Sequence, residues 1–417
     1  MDLDTALNFT PDYEPRPRAV LQALWDQARQ RGDPAAAWQA AAAALLGINL
    51  HYCDFRGAGR WCGRFADGLP AARAAGMAAQ AHAADATALR GCAAVLAWTM
   101  LDHAELAQPG ADTLVAEAAH ALSEGLRIET SLPPTQRFML AKCLLDYFGQ
   151  QMDPVAATPL IAMQQERLHA TTPTLQAHWW FAVMAHHEYH GQTEPAAQAR
   201  LRLSTLLDNH EVPGLRFALA TIDMPTAVKT SQLARAERLH RELEALMPDV
   251  PAGAWPHGLR AQALYLSHRG DFGAALVRVD RLLAVCRDVE VPERDQGAYH
   301  VLRANILAAL GRFEEALAEL AAQRPCQLGP QGEVLEVVIA FAEAAARLDS
   351  EPDAAQAWLS TALAGAARLQ YNRFYLNVPA LAARLCALAL DAGIGTEFVR
   401  ATVRDRNLAA PDPSRPD

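Results

Sequence analysis

LSHRGDFGAAL at Leu266–Leu276 and LAALGRFEEAL at Leu307–Leu317 are two copies of one pattern, set 41 residues apart. Each reads as the apolar end of a helix, a glycine, a polar residue, and then an alanine on a new apolar run. Gly270 and Gly311 stand where a helix closes on a left-handed residue, a conformation that glycine adopts without a Cβ clash. Asp271 follows as a cap, its carboxylate placed to accept from the first free N–H groups of the next helix. The spacing predicts helices over 254–269 and 271–287, then over 293–310 and 313–323. Ala263 and Ala275 are 12 residues apart, as are Ala304 and Ala316. Small residues at such positions let the two backbones of a hairpin approach closely.

Outward from this core, the turn signal recurs at Pro109-Gly110, Met152-Asp153-Pro154, Gly191-Gln192 and Asp349-Ser350. The alanines that set the phase are Ala156, Ala196, Ala234, Ala275, Ala316 and Ala355, at intervals of 40, 38, 41, 41 and 39. A fixed period in this range marks a solenoid or a propeller. Helical periodicity between the turns selects the α-solenoid. Further helices are predicted near 87–107, 111–126, 133–149, 153–169, 173–190 and 194–209. At Gly191 the register has two settings: Met184 matches the 12-residue spacing to Ala196, and Ala185 matches it to Ala197. Pro213 and Pro225 bracket GLRFALATIDM, and Pro225 is expected to break or kink its helix. The expected architecture is all-α, one array of helix pairs over 1–409 with a period near 40. Residues 1–80 form its weakly phased N-terminal part, and 410–417 a Pro-rich tail or linker.

Composition agrees. Hydrophobic residues make up 51% of the 417, and much of that is alanine, as in Ala40–Ala44. Alanine is the best helix former. The net charge of −10 with no basic stripe argues against direct binding to nucleic acid, where affinity rests on cations neutralising phosphates. Seven dispersed cysteines with no C-x-x-C pair suit buried thiols in a reducing compartment. An acidic start without an apolar core gives no signal peptide, and no apolar run is long enough to span a membrane, so a cytoplasmic location is expected.

Candidate chemistry is thin. His178, His186, His187 and His190 crowd HWWFAVMAHHEYH, with His186 and His190 on one face at i, i+4. The pattern is not H-E-x-x-H, and packing histidines are the default reading. Gly57, Gly59 and Gly63 are spaced G-x-G-x-x-x-G with no preceding strand, which suits a loop between helices better than a phosphate cradle. Neither lysine, Lys142 nor Lys229, completes a Walker A motif. No G-x-S-x-G elbow occurs, and Glu314-Glu315 sit at a helix start where they complement the dipole. No catalytic residue, no metal site and no cofactor is therefore expected, and the chain is expected not to be an enzyme.

The pairing of a small residue on the first helix with an alanine on the second resembles the tetratricopeptide repeat, here in a lengthened, divergent form. The resemblance implies that the first helix of each pair, helix A, lines a concave groove. Registering helix A on Ala263, Ala304 and Met184 directs His178, Phe181, His257, Arg260 and Asn305 into it, with Arg216 joining if the Pro225 repeat keeps register. Aromatics with a few cations suit an anionic or peptidic ligand. The expected partner is a protein or peptide, or a small-molecule inducer, with no nucleic acid and no membrane.

The C-terminal stretch RLQYNRFYLNVPALAARLCALALDAGIGTEFVRATVRDRNLAAP (368–411) carries a second resemblance. Its aromatic pair Phe374-Tyr375, Pro379, the leucine-rich run Leu385–Leu390, Gly393-Ile394 and Phe398-Val399-Arg400 through Arg406 resemble the end of the helical repeat region of bacterial signal-transducing transcription regulators of the maltose-activator type. The resemblance implies a region that senses an inducer or a partner protein. It also makes Tyr371, Asn372, Arg373 and Tyr375 a candidate docking cluster for an output domain. The ATPase and DNA-binding motifs of such regulators are missing from this sequence. Two readings stay open: the sensing and protein-interaction region of such a regulator, or a free-standing peptide-binding adaptor or scaffold unrelated to transcription.

Overall fold

The computed structural model describes residues 18–51, 55–75, 86–101, 111–128, 132–151, 153–169, 171–229, 232–323, 329–369, 378–406 and 408–411. These residues form nineteen α-helices and no strand. In chain order they are α1 (Arg18–Gln30), α2 (Pro34–His51), α3 (Ala58–Ala74), α4 (Ala86–Leu101), α5 (Ala111–Ile128), α6 (Pro134–Gln150) and α7 (Pro154–Leu168). Next come α8 (Pro173–Tyr189), α9 (Thr193–Asn209), α10 (Pro213–Lys229), α11 (Leu233–Leu246), α12 (Trp255–His268) and α13 (Phe272–Asp288). The last six are α14 (Gly297–Ala309), α15 (Phe313–Gln323), α16 (Gly329–Arg347), α17 (Pro352–Arg368), α18 (Pro379–Asp391) and α19 (Thr396–Arg406). Consecutive helices pack as hairpins, which makes the fold a tetratricopeptide-like helical repeat array. The chain divides into two compact units, Met1–Leu215 and Arg216–Asp417, with the division falling inside α10.

The turns close as the sequence pattern implies. Gly191, Gly270 and Gly311 have φ of +68°, +79° and +76°. The residue after each glycine donates its N–H back across the turn: Gln192 to His187, Asp271 to Leu266, and Arg312 to Leu307. That is the closing bond of a Schellman motif. Asp271 then caps α13 by accepting from the Ala274 N–H at 3.2 Å. Asp153 does the same for α7, accepting from Ala156 at 3.0 Å.

The capping geometry corrects the repeat phase. The alanine packed between the two helices of a hairpin lies four residues after the cap, where its N–H donates to the cap's own carbonyl. Ala196 donates to Gln192, Ala236 to Gln232, Ala275 to Asp271, Ala316 to Arg312 and Ala355 to Glu351. By this rule the packed alanine of α7 is Ala157, fully buried, and not Ala156, which is spent on the cap. That of α11 is Ala236, fully buried, whereas Ala234 is exposed. The series Ala157, Ala196, Ala236, Ala275, Ala316 and Ala355 then steps by 39, 40, 39, 41 and 39.

Twelve residues before each packed alanine lies the matching slot on helix A. It holds Leu145, Met184, Met224, Ala263, Ala304 and Glu343, all 2% exposed or less. Met184 is fully buried while Ala185 is not, so the α8–α9 hairpin keeps the common register. Pro225 does not break its helix: α10 runs unbroken to Lys229. An interior proline costs about 3 kcal/mol. Burial of Met224, Ala227 and Val228 on either side of it offsets that loss. Gly57 has φ +74° at the start of α3, and Gly59 and Gly63 lie inside that helix, not in a loop. Cys62, Cys92, Cys143, Cys286 and Cys386 are buried free thiols. Among the described residues, no helix is long and apolar enough to cross a membrane.

Candidate functional site

The slot register fixes which helix-A residues share a face. With about 3.6 residues per turn, positions six and three before the slot and one after it fall together on one flank of helix A, roughly a quarter-turn round from the slot.

In unit 1, α2 packs against both α4 and α6, and α6 against α8, so these A helices form one layer. On α6 the face positions are Met139, Lys142 and Asp146. Lys142 Nζ lies 2.6 Å from Asp146 Oδ2, with both side chains mostly enclosed. Burial pushes the Asp146 carboxyl above its usual range, and Lys142 and Asn49 of α2 oppose that shift. The Asn49 Oδ1 is itself buried, with no hydrogen-bond partner among the described residues. On α8 the same positions are His178, Phe181 and Ala185. His178 is 9% exposed and meets Phe138 of α6 edge-on at 6.3 Å, so it packs between A helices. Phe181 is half-buried.

In unit 2 the equivalent residues of α12 are His257, Arg260 and Leu264, and those of α14 are Ala298, Val301 and Asn305. His257 is exposed and Arg260 half-buried. Solvent reaches the His257 ring, yet surrounding protein, with Arg260 adding to it, pushes its pKa down to about 4. Tyr299 of α14 lies close enough to feel Arg260, and burial raises its pKa. Asn305 is 1% exposed, and among the described residues neither end of its amide has a hydrogen-bond partner. The register moves Arg216 off this set: the slot of α10 is Met224, so Ala218 and Thr221 hold the positions equivalent to His257 and Arg260. Arg216 is exposed at the start of α10. The cluster Tyr371, Asn372, Arg373 and Tyr375 lies outside the described residues.

The histidine cluster of α8 is a packing feature. His186 is buried, with its ring 4.5 Å from His190 and 5.7 Å from His187. Burial first, and the two neighbouring imidazoles second, push its pKa down to about 3. His187 Nδ1 is bonded to Gln192 Oε1 in the turn at 2.5 Å. Among the described residues, no group of three or more His, Cys, Asp or Glu side chains is placed to hold a metal ion.

Sequence reasoning missed two ionic features. Lys142–Asp146 on the face of α6 was hidden by the one-residue phase error at Ala156. Taking Ala157 as the packed alanine sets the slot at Leu145 and both residues onto the face. Glu343 occupies the slot of α16 with its side chain 3% exposed, paired with Arg347 one turn on. No sequence rule for a small or apolar slot would have found it.

No family model matches the sequence, and no curated protein is significantly similar to it. Among solved structures, the crystal structure of aspartyl phosphate phosphatase F from Bacillus subtilis is similar, with a TM-score of 0.47 and 11% identity. The match covers 96% of this chain and 97% of that one.

Proposed function

We propose that the chain is a binding module and not a catalyst, and that its A-helix faces hold a peptide or protein segment. The observation that supports this reading is the placement of His257, exposed, and Arg260, half-buried, three residues apart on one face of α12. Alanine and valine hold most of the equivalent positions on α10, α14 and α16. A cation and a neutral imidazole there favour an acidic side chain or a C-terminal carboxylate on the partner. On unit 1, Lys142 and Asp146 offer a donor and an acceptor to a backbone segment lying across α6. Peptides selected from a random library on the full chain test the reading. They are expected to lose at least ten-fold in affinity for Arg260→Ala or for Lys142→Met. Equal binding to wild type and both variants overturns it.

The second reading makes the chain the sensing region of a bacterial signal-transducing transcription regulator. The close of the chain favours it: Pro379 opens the leucine-rich α18, Gly393 turns at φ +69°, and the arginine-bearing α19 follows. The native transcript tests this reading. An ATPase or DNA-binding domain in the same frame supports it; a frame bounded by Met1 and Asp417 leaves the adaptor.

A further inference from the structure

Unit 1 carries a row of cations that the faces described above do not use. Helices α1 and α3 both pack on α2, and side chains bridge the gap between them. On α1, Gln22, Trp25, Asp26 and Arg29 recur at three- and four-residue spacing, so they share one side of the helix. On α3, Arg60 and Arg64 are one turn apart, with Trp61 beside them. Arg64 reaches across. Its guanidinium lies 3.9 Å from the centre of the Trp25 ring and 4.6 Å from that of Trp61, and its Nη1 donates to Gln22 Oε1 at 2.8 Å. Arg29 approaches the same Trp25 ring at 5.6 Å. A cation within about 6 Å of an indole is attracted to the ring. Burial first, and the charge of Arg60 second, lower the Arg64 pKa, while Asp26 opposes them. Arg29, Arg64 and Arg60 therefore form one charged row, with Trp25 between the first two.

The fold leaves most of that charge open. Arg29 and Arg60 are exposed, and neither makes an ion pair among the described residues. Asp26 is held by Gln22 at 2.9 Å, and Asp33 caps α2 by accepting from the Ala36 N–H at 3.0 Å. Asp67, exposed on α3, pairs with none of the three arginines. Arg60 stands in the first turn of α3, where a cation opposes the helix dipole, so its own helix gains nothing from it. The stretch 18–75 carries seven arginines against four aspartates, a surplus of three in a chain whose net charge is −10.

We propose that this row is a docking face for an acidic segment of a partner protein, whose carboxylates lie along the line from Arg29 to Arg60. Stacking occupies the flat face of a guanidinium and leaves its N–H edge for bidentate pairing with a carboxylate. The indoles hold Arg64 in place before any partner arrives, so less side-chain freedom is lost on binding. Two other anionic partners fit worse. Nucleic acid needs cations along a longer track, and a base would find the Trp25 ring already covered by Arg64. An anionic membrane also takes apolar anchors. Among the described residues, no large apolar side chain of α1, α2 or α3 is exposed. The inference is independent of what the A-helix faces hold.

The full chain is titrated with a labelled peptide repeating glutamate-glutamate-serine, read by fluorescence anisotropy, with the glutamine counterpart as control. The glutamate peptide is expected to bind at least ten-fold more tightly than the glutamine one, and to weaken as salt screens the pairing. Arg29→Gln combined with Arg60→Gln is expected to weaken binding at least ten-fold, with helical circular dichroism and melting as in the wild type. If that double variant melts lower, Arg60→Gln alone, away from the Trp25 ring, takes its place. Arg260→Ala is expected to leave this binding unchanged, which separates the row from the face of α12. Absence of glutamate-peptide binding at low salt overturns the proposal, as does binding that survives loss of the row's exposed arginines. Binding lost in Arg260→Ala instead assigns the peptide to α12 and overturns it equally. So does a single-stranded oligonucleotide or a phosphatidylserine vesicle that binds more tightly than the peptide and is released by the same arginine substitutions.

Discussion

The hairpins α12–α13 and α16–α17 follow one backbone plan and fill its tightest point in opposite ways. In the first, Ala263 of helix A faces the level of Ala275, both fully buried. In the second, Ala355 is unchanged and the residue twelve before it is Glu343, 2% exposed and ion-paired with Arg347. Across the repeats, helix B keeps alanine while helix A ranges over leucine, methionine, alanine and glutamate. The asymmetry follows from the cap. The packed alanine is the first residue whose N–H closes onto the cap carbonyl, so its Cα is pinned close to the partner helix and has no room for a longer side chain. The slot on helix A lies mid-helix, where side-chain direction can absorb extra length.

The largest expected effect breaks the exceptional hairpin. Arg347→Met leaves the Glu343 carboxylate buried without its cation, and removing one partner of a buried pair costs about 3–5 kcal/mol. Glu343→Met, which installs the residue found in the slots of α8 and α10, is expected to be neutral or stabilising by comparison. Urea unfolding of the two variants checks this. Equal losses in both would show that Glu343 is wanted for itself and not tolerated.

Next in size is the regular hairpin. Ala275→Leu forces methylenes between α13 and α12 at a typical cost of about 1–3 kcal/mol. The same substitution at the exposed Ala234 is expected to change stability by less than about 0.5 kcal/mol. Melting temperatures of the pair test the corrected phase directly: a large effect at Ala234 would restore the original one.

That correction shows how much was legible. The helix pairs from 254 to 323 could be read to within a few residues, because glycine and a capping residue mark each turn. The phase of α7 and α11 was not, because a second alanine precedes the true one, Ala156 one residue before Ala157 and Ala234 two before Ala236, and composition cannot choose between them. Choosing needs the cap: Asp153 bonds Ala156 and leaves Ala157 to pack. The faces inherit this uncertainty. His257 and Arg260 followed from the unambiguous α12, Arg216 from the uncertain α10, and Lys142–Asp146 was out of reach. Burial also departed from register: Asn305 is at a face position and is nonetheless enclosed.

A pH effect separates the units further. His186 of unit 1 is neutral in the fold with its pKa pushed down to about 3, against 6.5 unfolded. The unfolded chain therefore takes up this proton first. The stability tied to a neutral His186 is complete above about pH 6.5 and is lost progressively as pH falls toward 3. His186→Gln is expected to flatten the loss of stability between pH 6.5 and 5, measured by urea midpoints. An unchanged slope would assign the acid sensitivity elsewhere.

The smallest expected effect on stability carries the most about function. Arg260 is half-buried on the face of α12, with no ion-pair partner among the described residues like the one Arg303 finds in Asp280 and Glu319. Arginine stems lie along apolar surface while the head stays wet, so Arg260→Ala removes a cation and some covering contact without opening the core. The expected loss is below about 0.5 kcal/mol. It should also raise the pKa of His257, since the Arg260 charge is one of the two causes that depress it. Proton NMR titration of the His257 ring reads that shift without any partner present. A variant that melts as the wild type does, titrates His257 higher and binds selected peptides more weakly places Arg260 on a working face. If Arg260→Ala destabilises the fold as much as Ala275→Leu, the residue is a packing element, and the face defined by the α12 register is wrong.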